Sequence, residues 1–451
     1  MKKSVLILVL FLSAIANVLA GGLLTNTNQS VAFVRNPSRD AAINIDAVYY
    51  NPAGVAFLEK GFYLSLNYQA AIQKREISST FQLYQLNTNS PTNSRKFNAE
   101  NNVPAIPSIQ FAYVINNKWS IASQLSIIGG NGKCEYENGI SLFEASIAEI
   151  AKSYYTAKQA YSENKIIYGF QIGATYKIID QISVSLGLRG VYANLKYTGY
   201  ITDIRVNGKD SEQLLEDAKL PPENPVYGEE KKQPCSQSSL ISDYILDCNQ
   251  RGFGITPILG VNFKMKKWNL AAKYEFRTKL NLQNESNNSK NINKLLPEYK
   301  DGESVRSDIP ALFTIGVEYS PIKSLRLSGG FHHYHDKAAK GTSSKVNNNT
   351  IEGVFGIEYD AHKIITISTG IQRTRFACSN EQINDTNFNL NSWALGFGLL
   401  FNCNELINVN VGYLHTFYNQ RNVENVYGIP TLNNTYNRSS NLVGASIDFK
   451  F

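Results

Sequence analysis

The feature that most limits what this chain can fold into is an alternation of apolar and polar residues in stretches of about ten, each ended by a turn. From Ile166 to Ile178 one face carries Ile166, Tyr168, Phe170, Ile172, Ala174, Tyr176 and Ile178, while the other carries Gly169, Gln171, Gly173, Thr175 and Lys177. The same split returns between Trp393 and Phe401, between Ile407 and Tyr413, and between Val443 and Phe451. A soluble sandwich alternates too, so strand length and strand ends must discriminate. About ten uninterrupted residues match the ~9–11 tilted residues that cross a bilayer. Trp119, Trp268, Trp393 and Phe401 stand at the ends of apolar faces, where rings would meet two membrane interfaces. The opposite face, rich in Gly, Ser, Gln and Asn, suits a lumen.

Such segments fall near 61–76, 105–115, 119–128, 165–178, 182–197, 251–265, 268–282, 308–320, 324–335, 351–360, 364–376, 388–402, 406–418 and 439–451. Six connections are very short, at Asn116 to Lys118, Ile179 to Gln181, Lys266-Lys267, Pro321 to Lys323, Ala361 to Lys363 and Cys403 to Glu405. The others are longer, the largest running from Thr198 to Gln250. Short turns on one side and long loops on the other imply an all-β transmembrane antiparallel barrel of about 14 strands, with extracellular loops and periplasmic termini. Closure follows from energetics, because an open sheet edge in hydrocarbon strands its N–H and C=O groups.

The first twenty residues read as a secretory signal peptide: Lys2-Lys3, an apolar run from Val5 to Ile15, and Val18-Leu19-Ala20 before Gly21. Removing Lys2 and Lys3 takes the formal charge from +7 to +5, and no basic patch marks a nucleic-acid binder. Of five cysteines, Cys235 and Cys248 flank a polar loop and are the expected disulfide, worth roughly 3 kcal/mol in the chain-entropy model.

Ahead of the first strong alternation lies "DAVYYNPAGVAFLEKGFYLSLNYQ", residues 46–69, in which Asn51-Pro52-Ala53-Gly54 breaks regular structure. With the preceding "NPSRDAAINI", this stretch closely resembles the segment that ends the N-terminal plug of the FadL/TodX family of outer-membrane transporters for hydrophobic compounds. "SDIPALFTIGVEYSPIKSLRLSGGFHHYHD" resembles that family's Asp-x-Pro-Ala strand, short turn and following strand. The resemblance implies a hatch over residues 21–60 inside the lumen of a barrel over residues 61–451 of the bacterial outer membrane. It also implies a monomer that takes up fatty acids or hydrocarbons, surrounded by outer-membrane lipid and lipopolysaccharide and inserted by the assembly machinery. Release is expected sideways, at a kink in the third strand. Here that strand ends in Gly129, Gly130 and Gly132, which either permit a bulge or begin the next loop.

For a fatty acid the lumen needs an apolar channel and a cation. Lumen-phase cations are Arg189, Lys273, Arg277 and Arg326, of which the forked Arg189 and Arg326 suit a carboxylate best. Phe143, Ile147, Ile150 and Tyr154 share one helical face and either cover the barrel mouth or collect greasy ligand. His332, His333 and His335 with Asp336 invite a metal, yet strand histidines near an interface are more often plain surface residues, so no metal or cofactor is expected. No Ser, His and acid converge around His415, and no phosphate-cradling loop is present, so catalysis is not expected. Passive uptake is the leading function. An adhesin or interaction barrel and a water-filled porin are the alternatives.

Overall fold

The alternating stretches become segments of one antiparallel sheet in the computed structural model of the chain, which describes residues 28–210, 212–213, 243–289, 292–293, 297–341, 348–380, 383–386 and 388–451. In chain order these are β1 (Gly61–Thr80), β2 (Ser94–Val103), β3 (Ser108–Val114), β4 (Trp119–Tyr136), β5 (Tyr155–Ile179), β6 (Ile182–Val206), β7 (Tyr244–Met265), β8 (Trp268–Glu275) and β9 (Asn281–Ser286). They continue as β10 (Ser304–Arg306), β11 (Leu312–Ile322), β12 (Leu325–Tyr334), β13 (Ile351–His362), β14 (Ile365–Arg375), β15 (Ser392–Asn402), β16 (Ile407–Tyr418), β17 (Arg421–Val423) and β18 (Asn433–Lys450). Because β2 runs on into β3, β8 into β9, β10 into β11 and β16 into β17, the sheet has fourteen staves. It closes where β1 pairs with β18, from Tyr63 opposite Lys450 to Thr80 opposite Asn433. The last residue seals the rim, with Phe62 N–H donating to Phe451 O at 3.0 Å and Phe451 N–H to Phe62 O at 2.8 Å.

The apolar face points outward. On β6, Val184, Leu186 and Leu188 are exposed while Ser183, Ser185 and Arg189 are buried, and Leu186 and Phe253 each keep 64% of their surface free. A belt of exposed Leu, Ile, Val and Phe around the whole sheet far exceeds the few hundred Å² of apolar patch that soluble monomers show. Rings mark its rims: Trp119 against Tyr176 (4.7 Å) and Trp268 stacked on Tyr319 (4.2 Å) at the short-turn end, Tyr168 on Tyr192 (6.4 Å) at the other. Tyr168 and Tyr176 are separated by roughly 27 Å along β5, about 20 Å along the barrel axis after tilt, close to the ~25 Å apolar band of outer-membrane barrels.

Strands overshoot that band. β5 and β6 each run 25 residues, and β2 is a stave extension not marked by the apolar alternation. Above the rim the outer face turns polar, with Lys158, Lys196 and Asp203, so the alternation ends where the pairing does not. There an interior cluster of Ile77, Phe81, Tyr84, Phe97, Leu142, Phe143, Tyr161 and Tyr197 fills the long-loop end. Helix α3 (Ser141–Ala151) lies in it, after two short helices, α1 (Val31–Arg35) and α2 (Ala47–Tyr50), inside the barrel. Asp385 Oδ2 caps α3, accepting from Ser141 Oγ at 2.7 Å and Leu142 N–H at 2.8 Å, and Glu144 Oε1 accepts from Asn87 and from Tyr155. Lys152 turns left-handed (φ 47°) and ends the helix, so Tyr154 falls off the predicted face and is 61% exposed. The expected signal peptide at residues 1–20 and the expected disulfide partner Cys235 lie outside the described residues.

Candidate functional site

Residues 28–58 occupy the lumen. The staves receive them on glycines: a Cβ at Gly316 would meet Asp40 Cβ at 2.5 Å, at Gly398 Arg35 Cβ at 2.7 Å, and at Gly370 Pro37 Cδ at 2.8 Å. Gly316 pairs with Gly330, Gly356 with Gly370, Gly370 with Gly396, and Gly398 with Gly412, so the small lumen face is a trough for the backbone of 34–41. Lumen side chains hold the rest. Gln171 donates to Val48 O (2.8 Å), Thr175 to Pro52 O (2.9 Å), Ser183 to Ala53 O (2.6 Å), and Lys273 to Tyr49 O (2.9 Å).

Asn51-Pro52-Ala53-Gly54 is more regular than the sequence suggests. Pro52 begins a 3-10 helix (Pro52–Phe57), a first position where its missing N–H costs nothing. Asn51 caps that helix: its Oδ1 accepts from Gly54 N–H at 3.2 Å, and its Nδ2 donates to Asn262 Oδ1 at 2.7 Å.

Charge fixes the trough end. Arg35 and Arg39 both reach Glu358 Oε1 at 3.0 Å, and Arg39 also grips Asp46 (2.7 Å). His332 bridges Asp40 at 2.9 Å and Glu352 at 2.8 Å. These groups are almost wholly buried, a geometry in which a pair is stable only while both partners remain.

Beside this segment lies a cavity of about 210 Å³. Ile127, Ile128, Ile166, Leu390, Leu414 and Leu442 give it apolar wall, and Asn28 and Gln29 form its contact with the inner segment. Three cations reach it, Arg75, Lys165 and Arg438, and no carboxylate is among its described lining residues. Arg75 (3.2 Å) and Lys165 (2.7 Å) share the single buried Glu163 behind the wall. Arg438 donates to Gln73 Oε1 (2.6 Å) and lies 4.9 Å over the Tyr418 ring, leaving its Nε buried without an acceptor among the described residues.

The cavity borders the expected kink. β4 does not stop at its glycines but continues to Tyr136 through register shifts at Ile127/Gly129 and Gly130/Gly132, with Gly130 at φ +100° and Gly132 at φ +63°. Those values admit glycine far more readily than other residues.

Other expected ligand residues stand apart from the cavity. Arg189 forks onto Glu275 (2.6 and 3.1 Å) and onto Gln171, and Arg326 is held by Glu358 and Asp360 near the short turns, so protein carboxylates occupy both. Phe143 and Ile147 are packed in the loop-end cluster, and Ile150 borders it. Arg277 meets Asp308 at 3.5 Å. His333 and His335 stack edge-on at 4.6 Å away from the buried His332, and His415 binds Asn441 Oδ1 at 2.7 Å. Arg75, Lys165 and Arg438 are absent from the sequence-based candidates, yet their phase was readable: counting back in twos from Asp448 reaches Arg438, and from Gln171 reaches Lys165.

The sequence matches, over residues 11–451, the family model described as outer membrane protein transport protein (OMPP1/FadL/TodX). The fold is similar to that of a Pseudomonas aeruginosa FadL homologue (TM-score 0.65, 12% identity, 95% of this chain and 100% of that one). It is similar also to the Pseudomonas putida toluene transporter TodX (0.60, 12%, 95% and 100%) and the Ralstonia pickettii toluene transporter TbuX (0.54, 13%, 96% and 99%). A search of curated proteins finds no match.

Proposed function

The chain belongs to the OMPP1/FadL/TodX family of outer-membrane transport proteins, and from that premise we propose that it admits long-chain fatty acids rather than neutral aromatic hydrocarbons. As a family member it is an outer-membrane transporter of hydrophobic compounds. The observation that carries the finer reading is the cavity's charge: Arg75, Lys165 and Arg438 face it against one carboxylate, Glu163, set behind its wall. A neutral hydrocarbon gains nothing from a buried guanidinium that lacks an acid. A carboxylate gains charge-assisted hydrogen bonds, and the aliphatic tail fits Ile127, Ile128, Leu414 and Leu442. The head-group receptor is thus assigned to Arg438 in place of Arg189 and Arg326.

Residues 28–58 serve as the hatch in this reading, closing the lumen towards the short-turn, periplasmic side. Gln29 touches both hatch and cavity: its backbone N–H donates to Tyr50 OH (2.8 Å) and its side chain to Ile127 O (3.0 Å). Ligand in the cavity contends for the same groups, which couples occupancy to the hatch, and the apolar molecule leaves sideways past Gly129 and Gly130. Nothing in the transfer requires a nucleotide or a cofactor, since the gradient of the ligand drives it.

The test is binding of labelled palmitate by the purified wild type and Arg438→Gln barrels, together with uptake of labelled palmitate and labelled toluene by cells that lack their own transporter and carry either protein. Loss of a charge-assisted hydrogen bond worth about 1.5–3 kcal/mol weakens palmitate binding by roughly 10- to 150-fold. Toluene uptake stays unchanged or negligible. Equal palmitate binding by both proteins, or faster toluene than palmitate uptake by the wild type, sinks the proposal.

A further inference from the structure

Above the lipid belt the outward face of the barrel carries cations, and on β1, β2, β4, β5 and β7 each has an outward carboxylate beside it. Lys74 meets Glu100 at 3.7 Å, Lys96 meets Glu76 at 3.4 Å, Lys133 meets Glu135 at 2.6 Å, Lys158 meets Asp203 at 2.6 Å and Arg251 meets Glu285 at 2.9 Å. Lys196 on β6 lacks one but stands singly between Asn164 and Asn249. β14 differs. Its outward positions run through Ile367, Thr369 and Ile371 to Arg373 and Arg375, while Gln372 and Thr374 between them are buried on the lumen side. Among the described residues neither arginine forms an ion pair, and no carboxylate stands on the outward face of β11 to β16 at their level.

Beside these arginines the wall has a notch. Gly353 on β13 stands opposite Arg373 on one side and Phe331 on the other, and a Cβ placed there would meet nothing within 4 Å. Two strand spacings, roughly 10 Å, thus separate Phe331 from Arg373 with only backbone between them. Glu352, next to Gly353, points into the lumen and accepts from Tyr334, Gln372 and Thr374. Trp393 backs the arginine, its ring centroid 4.9 Å from the guanidinium carbon. Arg373 Nη1 donates to Ser392 O at 3.1 Å and to Asn419 Oδ1 at 3.4 Å, which fixes the side chain in place. Its Nε and Nη2, the edge that forks onto two oxygens of one anion, have no acceptor among the described residues. Directly below, Phe355, Ile371 and Leu395 are exposed on the lipid belt.

We propose that this notch is a binding site for the phosphorylated headgroup of an outer-leaflet glycolipid: a phosphate of lipopolysaccharide is forked by Arg373 and met from above by Arg375, and acyl chains lie on Phe355, Ile371 and Leu395. Depth selects this occupant. Arg373 stands two residues beyond the lipid-facing Ile371, roughly 7 Å along the strand, at the height where the apolar belt gives way to headgroups. β14 runs from a short turn towards the long loops, so that height belongs to the outer leaflet. A soluble anion would use the guanidinium but not the apolar surface beneath it, whereas a phosphorylated lipid uses both. Each arginine at this height favours an anionic headgroup by about fivefold, and the fork on Arg373 takes its share to at least tenfold.

The experiment titrates purified, heat-modifiable barrels in detergent with lipid A carrying both phosphates and counts bound lipid by native mass spectrometry. Arg373→Gln should bind at least tenfold more weakly than wild type, and Arg375→Gln about fivefold. Arg373→Lys keeps the charge but not the fork, and should fall between wild type and Arg373→Gln. Gly353→Leu fills the notch and should weaken binding at least tenfold with both arginines in place, while Lys196→Gln on the far wall should bind as wild type. Fully dephosphorylated lipid A should bind wild type no better than intact lipid A binds the Arg373→Gln/Arg375→Gln double variant. Equal binding by wild type and that double variant overturns the proposal, as does a loss in Lys196→Gln as large as in Arg373→Gln, which would make the attraction one of general surface charge. Displacement of lipid A by equimolar inorganic phosphate also overturns it, because the site would then take a free anion rather than a lipid.

Discussion

Glu358→Gln isolates the electrostatic hold on the inner segment. Glu358 Oε1 is 3.0 Å from both Arg35 and Arg39, whose side chains are each 1% exposed. The substitution keeps the shape of the side chain and removes the charge. Arg39 retains Asp46 in a forked contact at 2.7 and 3.0 Å, but Arg35 is left with the neutral partners Ser368 (2.7 Å) and Asn410 (3.0 Å). Breaking one partner of a buried pair costs about 3–5 kcal/mol, which raises the displaced population of the segment by roughly 100- to 5,000-fold. The barrel itself should survive, because its ladders do not depend on this pair. A reporter cysteine at the buried Ser38 reads the displacement through its rate of maleimide labelling. Labelling at least 100-fold faster than in the Ser38→Cys parent is expected, with Arg35→Met added to Glu358→Gln recovering most of the protection. An unchanged rate in a barrel that remains heat-modifiable would refute the reasoning and leave shape, not charge, as what seats the segment.

The glycine trough makes a complementary prediction: Gly356→Val drives a side chain into Asn36 and should raise the same labelling rate with every ion pair intact, a result a purely electrostatic seat could not give. Glu275→Gln leaves Arg189 and Lys273 without their shared carboxylate (2.6 and 2.7 Å) and should lower the temperature at which the barrel loses its compact gel mobility, reflecting about 3–5 kcal/mol. At the long-loop end, burial raises the Glu298 carboxyl to about 7. A carboxyl raised on folding stabilises below its unfolded value and loses that contribution as pH rises through the folded one. The packing of Tyr299 O onto Ser286 Oγ (2.6 Å) and Asn288 Nδ2 (2.9 Å) should therefore loosen between pH 5 and about 8, seen as faster amide exchange at Ser286 beyond the intrinsic pH effect. Glu298→Gln should flatten that dependence, and a dependence that persists in it would assign the effect to another group.

The barrel was legible in the residues alone. Two-residue periodicity sustained for about ten residues, with aromatic rings at the ends of the apolar face and short turns alternating with long loops, favours a closed bilayer-spanning sheet over a soluble sandwich, so strand number, outward face and short turns could all be read from the pattern. Phase also determined that Arg189, Lys273 and Arg326 face inward, because a side chain's face depends only on its place in the alternation. What those cations do there was decided by the tertiary structure. Partners across a lumen come from distant staves, as Glu275 does for Arg189 and Glu358 for Arg35, and no local pattern records that register. The ends of β5 and β6 were hidden for a related reason: above the lipid rim hydrogen bonding sustains a strand without an apolar face to announce it. The cavity is further still from the one-dimensional pattern. Arg75, Lys165 and Arg438 lie on β1, β5 and β18, far apart in the chain, and closure of the sheet between β1 and β18 is what gathers them around one cavity.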